Sequence, residues 1–270
     1  MTESLPQFEF VEVPPPRRGR RWIAPVSVLA GILVLLVTAF FVADGMARGY
    51  AAGLIRDKVR SSLSLPEKTP IDVTVGGTSV LFQLLSGSLE DVRLSVKGLS
   101  VGALNGDVTL TARGIPIDQS RPIDSLRLQF SADQAELTKM LSGFSGFPVR
   151  SVAIDGGSVQ LGTSFTVLGV DIPVGLSLKP AAAGGDLTLT PTGAMIGGNT
   201  VTPATLRSTF GPAADLLLAT QRICVASQLP QRFVLHSVRV AGKRVVLVVT
   251  ATSVSLNHDL LTTKGSCPAT

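Results

Sequence analysis

From Ile23 to Ala43 the chain carries no charged residue, and this run is preceded by Arg17, Arg18, Arg20 and Arg21 and closed by Asp44. At 1.5 Å of rise per residue, about 20 apolar residues cross the hydrocarbon of a bilayer, and arginines on one flank hold that flank in the cytoplasm. The pattern predicts a signal anchor over residues 22–43, with the N-terminus cytoplasmic and everything after Asp44 exported. Trp22 suits the interfacial edge, and Pro25 lies near the helix start, where a missing N–H costs little. A cleaved secretory signal shares the basic flank, but its apolar region is shorter and ends in a small-x-small site. Only Gly45-Met46-Ala47 offers a poor version of that site, so the residues favour an uncleaved anchor.

Export makes the composition informative. Only 16% of the residues are charged and the mean hydropathy is +0.40, so the body of about 220 residues needs either a large core or an apolar cavity. The net charge of +5 is mostly the four arginines before the anchor, which leaves the body close to balanced and gives nucleic acid no support as a partner. Arg56, Lys58 and Arg60 follow the anchor closely, placed either to touch anionic headgroups or to form a solvated helix face. Cys224 and Cys267 both fall on the exported side, where oxidation permits a disulfide; the alternative is two buried thiols.

Residues 1–21, with Pro14-Pro15-Pro16, read as a disordered cytoplasmic tail; residues 44–265 form one extracytoplasmic domain, followed by a short tail at 266–270. From Asp44 to Leu63 the pattern is helical, with Met46, Tyr50, Leu54, Val59 and Leu63 on the apolar side and Arg56, Asp57 and Arg60 turned away. Gly45, Gly49 and Gly53 form two overlapping G-x-x-x-G steps. Such a face pairs two chains or, as favoured here, packs flat against the protein's own sheet.

Beyond Ile71 the signals are those of an α+β domain that is mainly antiparallel β. Val92, Leu94 and Val96 alternate with Arg93, Ser95 and Lys97, and Leu126, Leu128 and Phe130 alternate with Ser125, Arg127 and Gln129. Turn residues at Asn105-Gly106, Asp155-Gly156, Gly184-Gly185 and Ala241-Gly242 separate apolar runs and predict hairpins. Short helices are expected over 79–85, 132–141 and 212–220. The stretch Gly106 to Gly114 is echoed by Gly185 to Gly193, which hints at a shared unit.

The alternation places Val92, Leu94, Val96, Leu126, Leu128 and Phe130 on one side of a sheet. Leu81, Phe82 and Leu85, with Leu137 and Leu141, are expected to close that face from the short helices. Alternation alone does not separate a filled core from an apolar channel.

Catalytic patterns are missing from the sequence: there is no G-x-S-x-G elbow, H-E-x-x-H, Walker A loop or G-x-G-x-x-G fingerprint. The expectation is a non-enzyme without cofactor or metal, since two distant cysteines with His236 and His258 do not make a metal site. His236, between Val234 and Val238, reads as a hydrogen-bonded core histidine, and His258 as a loop residue.

Gly87 to Gly114, with Leu89-Glu90-Asp91-Val92-Arg93-Leu94-Ser95-Val96-Lys97-Gly98, then Val149 to Leu161, then Leu229-Pro230 leading into Val234 to Leu256, resembles the LmeA-type phospholipid-binding family of actinobacterial cell-envelope proteins. The resemblance covers residues 45–262 and rests on the spacing of strands, glycines and Leu-Pro. It implies a tubular lipid-binding fold, a long curved antiparallel sheet wrapped around helices, with an apolar channel for a phospholipid or related envelope lipid. It carries over no residue-level motif. The expectation is therefore a membrane-anchored lipid-binding or lipid-transfer protein. A scaffolding envelope protein with a solid core, and an enzyme acting on glycolipids, remain the alternatives.

Overall fold

A computed structural model describes residues 23–62, 65–101, 104–118, 120–142, 149–167, 170–255 and 263–267. The tail expected over 1–21, the interfacial Trp22 and His258 lie outside the described residues. The chain divides into two compact units, Met1–Met46 and Ala47–Thr270.

In the first unit, α1 (Ile23–Ser62) begins, and its large side chains are uncovered: Leu35 is 70% and Phe41 67% exposed. Among the described residues it is the helix long and apolar enough to cross a membrane. The apolar run and the stretch that follows it form a single helix. No proline interrupts the chain between Pro25 and Pro66, and isolated glycines weaken a helix by about 1 kcal/mol each without breaking it.

The second unit is built from β1 (Ile71–Val75), α2 (Val80–Ser86), β2 (Ser88–Val101), β3 (Leu104–Pro116), β4 (Ile123–Asp133), α3 (Gln134–Ser142), β5 (Ser151–Asp155), β6 (Ser158–Val167), β7 (Val170–Ala183), β8 (Asp186–Ile196), β9 (Asn199–Val201), α4 (Pro203–Phe210), α5 (Ala213–Leu218), β10 (Gln221–Ile223), β11 (Val234–Ala241) and β12 (Arg244–Val254). The domain is α+β and mainly antiparallel β, as expected, with its strands divided between two sheets in place of one long one. The first has the order β1-β2-β3-β4-β12-β11; the second runs β10-β8-β7-β6-β5, with β9 added on β8. The final hairpin β11-β12 returns to complete the first sheet. Its Leu235, Val238, Val245 and Val249 pack against Val159, Ala182 and Leu187 of the second.

The hairpin turns at Gly156, Gly184-Gly185 and Gly242 fall between strands as expected, whereas Asn105-Gly106 is part of β3, paired with Ser100 and Leu99. The two echoed segments lie on β3 and β8, one in each sheet. The helix α4 was not anticipated; Thr202 caps it through the Thr205 N–H, and Pro203 occupies its first turn.

The second unit's portion of α1 packs on a different face from the expected one. Ala47, Ala51, Ala52, Ile55 and Val59 lie against Ile71, Val73, Val75, Val92 and Val96. Met46, Tyr50 and Leu54 are 73%, 72% and 55% exposed. A Cβ added at Gly45, Gly49 or Gly53 would meet nothing within 4 Å, so alanines rather than glycines make the close approach. Arg56 also turns inward: its Nε donates to the Ile71 carbonyl at 3.1 Å, as an Arg48 Nη does to that of Val75 at 3.0 Å. β1 is an edge strand, and these guanidiniums satisfy its outward carbonyls.

Cys224 and Cys267 form the disulfide, with Cα atoms 5.9 Å apart. Beside it, the Gln231 N–H donates to Thr263 O and the Gly265 N–H to Leu229 O, which holds residues 263–267 against 229–231. Gly265 is required there, since a Cβ would stand 2.8 Å from the Ala226 carbonyl.

Candidate functional site

The pairing of β1, β2, β3, β4, β12 and β11 aligns their apolar side chains in three rows. The first row, Val75, Val92, Ala112, Leu126 and Ala251, is buried throughout. The second runs Val73, Leu94, Leu110, Leu128, Val249 and Leu235. Its ends are buried, at 5% for Val73, 8% for Val249 and 4% for Leu235, while Leu94, Leu110 and Leu128 are half-buried. The third row repeats this: Ile71, Val96 and Val238 are buried, and Val108, Phe130 and Leu247 between them are half-buried.

The half-covered side chains Leu94, Leu110, Leu128, Val108, Phe130 and Leu247 thus form one contiguous patch across β2, β3, β4 and β12. With strands about 4.8 Å apart it is roughly 14 Å wide. The alanine face of α1 covers the sheet on one side, and the second sheet covers it on the other. Completing the burial of a large aliphatic side chain is worth about 1.5–3 kcal/mol. The exposure left on each half-buried side chain is therefore worth at most about 1 kcal/mol to an apolar occupant.

The structure brings together the six strand residues expected on this face, but in two environments. Val92, Val96 and Leu126 are core; Leu94, Leu128 and Phe130 belong to the patch. Leu137 and Leu141 on α3 are half-buried, and Leu137 packs with Leu128 on the cluster around Leu235 and Val238. The α2 residues are placed otherwise: Leu81 is half-buried, but Phe82 is 65% and Leu85 87% exposed, so these two do not close the strand face. Val80 and Gln83 point inward in their place. Val108, Leu110 and Leu247 were missed, although Val108, Leu110 and Ala112 alternate with Asp107, Thr109 and Thr111 as clearly as their neighbours do.

The opposite face of the same sheet is polar. Arg93, Thr111, Arg127 and Thr250 align across four strands and, with Thr109, Arg113 and Gln129, line an open groove of about 630 Å³. Arg113 pairs with Asp91 at 3.5 Å. Such a lining suits water and anions, not alkyl chains.

Little else offers chemistry. Among the described residues no group of three or more His, Cys, Asp and Glu stands ready for a metal. His236 is exposed rather than buried, because a β-bulge between Leu235 and Ser237 leaves it as the extra residue. Asp118 is held below the usual carboxylate range by hydrogen bonds from the Ser120 N–H and hydroxyl and by the charge of Arg121.

Among curated proteins and among solved structures, none matches the chain. The family described as LmeA-like phospholipid-binding matches residues 42–250, a span that holds the whole patch and both of its walls. The chain belongs to the LmeA-like phospholipid-binding family.

Proposed function

We propose that this protein is a membrane-anchored, extracytoplasmic phospholipid-binding or lipid-transfer protein of the cell envelope, and that acyl chains lie on the half-covered patch. Leu94, Leu128 and Phe130 contact the lipid directly, with Val108, Leu110 and Leu247 beside them. Val92, Val96 and Leu126 form the floor, and Leu137 and Leu141 form part of a wall. The observation that carries this reading is the patch itself, in a chain of a phospholipid-binding family. A sheet face with buried margins and a half-buried apolar centre is one that an apolar ligand can complete.

The energetics need no polar contact. Alkyl chains gain about 0.8 kcal/mol per buried CH₂, so about ten methylenes laid on the patch supply the free energy of micromolar binding, about 8 kcal/mol. No nucleophile, base or cofactor enters this scheme; the reading is of a carrier, not an enzyme.

Native mass spectrometry of the full chain, released from mild detergent, tests it. Phospholipid retained at a fixed stoichiometry and lost on delipidation is the expected result. A chain that carries none, and takes none up from vesicles, refutes the reading in favour of a scaffold with a solid core.

A further inference from the structure

The helix α2 is built with its apolar side outward. Ser79 caps it through the Phe82 N–H at 3.3 Å, and Gly87, at φ 79°, closes it with its N–H shared between the Gln83 and Leu84 carbonyls. Val80 and Gln83 fix it to the sheet: Gln83 is 1% exposed, donates its Nε2 to Gly76 O at 3.0 Å and accepts the Glu90 N–H at 2.9 Å. That orientation leaves Phe82, Leu84 and Leu85 at 65%, 46% and 87% exposure. Ile117, 49% exposed, joins them, since its N–H binds the Gly87 carbonyl. A rigidly held helix with a Leu and a Phe turned to water on one side is a poor device for solubility and a good one for contact.

The connectivity of the chain bears on what could cover this patch. Arg48 donates to the carbonyls of Val75 at 3.0 Å and Gly77 at 3.4 Å, immediately before α2. Arg56, eight residues further along, reaches Ile71 at the other end of β1. Eight helical residues rise about 12 Å and four strand steps about 13 Å, so α1 and β1 run side by side, and α2 sits at the end of β1 that lies nearest the anchor along the chain. Only four residues lie between Ala43 and Arg48, a tether of five steps and at most about 18 Å even when fully extended. If the apolar run spans a bilayer, this tether keeps the base of α2 within reach of that bilayer's surface. Arg121, which donates to Gly87 O at 3.3 Å, supplies a cation at its rim. The nearby Asp118 carboxylate is turned back onto Ser120.

We propose that Phe82, Leu84, Leu85 and Ile117 form a docking surface that inserts into the surface of the bilayer carrying the N-terminal apolar run. The inference rests on the reading of the body as a tethered lipid carrier: docking sets the end of the sheet bearing the first row against the leaflet from which lipid is taken.

The experiment uses the full chain reconstituted in phosphatidylcholine and phosphatidylglycerol vesicles. With Cys224 and Cys267 bridged, a single introduced cysteine is labelled with a polarity-sensitive fluorophore, either Leu85→Cys or, on the polar face of the sheet, Gln129→Cys. A blue-shifted Leu85 probe that is quenched by nitroxide-bearing acyl chains, beside an unaffected Gln129 probe, is the expected result. A Leu85 probe that stays in water overturns the proposal. The double variant Phe82→Glu, Leu85→Glu changes only exposed side chains. It should slow lipid transfer between vesicles by about tenfold per side chain while leaving the lipid retained by the detergent-purified chain unchanged. Loss of retained lipid would place α2 in the lipid site and overturn the docking role. Alkaline carbonate extraction judges the anchor separately: a chain that washes off refutes the spanning segment, while quenching of the Leu85 probe alone decides whether α2 docks.

Discussion

Replacing Leu128 by Trp distinguishes a lipid site from a core, because the two rows of the sheet should respond in opposite ways. Leu128 is half-buried in the second row, whereas Leu126, one pleat away on the same face, is 7% exposed in the first. An indole at position 126 has no free space and should cost about 1–3 kcal/mol of stability through overpacking. At position 128 it extends over Leu110 and Phe130, the neighbouring half-covered side chains, and should cost under about 1 kcal/mol. The same indole occupies space that an acyl chain would use. Displacing about three methylenes forfeits about 2.4 kcal/mol, or roughly 60-fold in Kd. Urea denaturation followed by circular dichroism gives the stabilities, and titration with a fluorescent phospholipid gives the affinities. Equal destabilisation by Leu126→Trp and Leu128→Trp would mean that the patch is a packed core. A folded Leu128→Trp protein that binds lipid like the parent would place the ligand elsewhere.

Reducing the Cys224–Cys267 bridge, which closes a loop of 43 residues, should lower stability by about 4 kcal/mol on chain-entropy grounds; denaturation with and without reductant reads this directly. Arg244 donates to Ser131 Oγ at 2.7 Å and to Asp107 at 2.9 Å, and lies 3.5 Å from Glu136. Arg244→Met should therefore cost about 2 kcal/mol in thermal or urea unfolding, with Arg244→Lys restoring part, and an unchanged midpoint would refute the network. Gln83→Ala strands the Gly76 carbonyl and the Glu90 N–H, for an expected loss of about 2–3 kcal/mol. The Glu90 amide should then exchange with solvent faster than its neighbours, and unaltered protection would show that water replaces the amide.

Strand identity was legible because it is a period-2 signal within one segment: Leu94 and Leu128 face the same way whatever pairs with them. Phase on α1 was not. The periodicity of Met46, Tyr50 and Leu54 competes with that of Ala47, Ala51 and Ile55, and hydrophobicity favours the larger set. Packing favours the smaller, because alanines let the helix approach the edge strand closely enough for Arg48 and Arg56 to reach its carbonyls. The same error of side occurred on α2, where Leu81, Phe82 and Leu85 share a helical face and Val80 and Gln83 the other. A buried glutamine gives no apolar signal, yet its two hydrogen bonds decide which face turns inward. His236 failed for a third reason: a single-residue bulge inverts the side of every residue on one side of it relative to the other.

Coverage is the property that pattern cannot report, since it depends on what the rest of the chain lays over a residue. Leu94, Leu126 and Leu128 carry the same alternation. Leu126 is buried in a cluster with Ala112, Ile123, Ala251 and Val254, the last two supplied by the final strand. Leu94 packs on the cluster that includes the alanine face of α1, and Leu128 on the cluster shared with the second sheet. Leu110 packs on the margin of the cluster around Leu126, whereas Val108 and Phe130 join none of the described clusters. Under the proposed function an acyl chain completes the cover over these side chains, which would tie the apolar composition of the chain to the half-buried centre of the sheet.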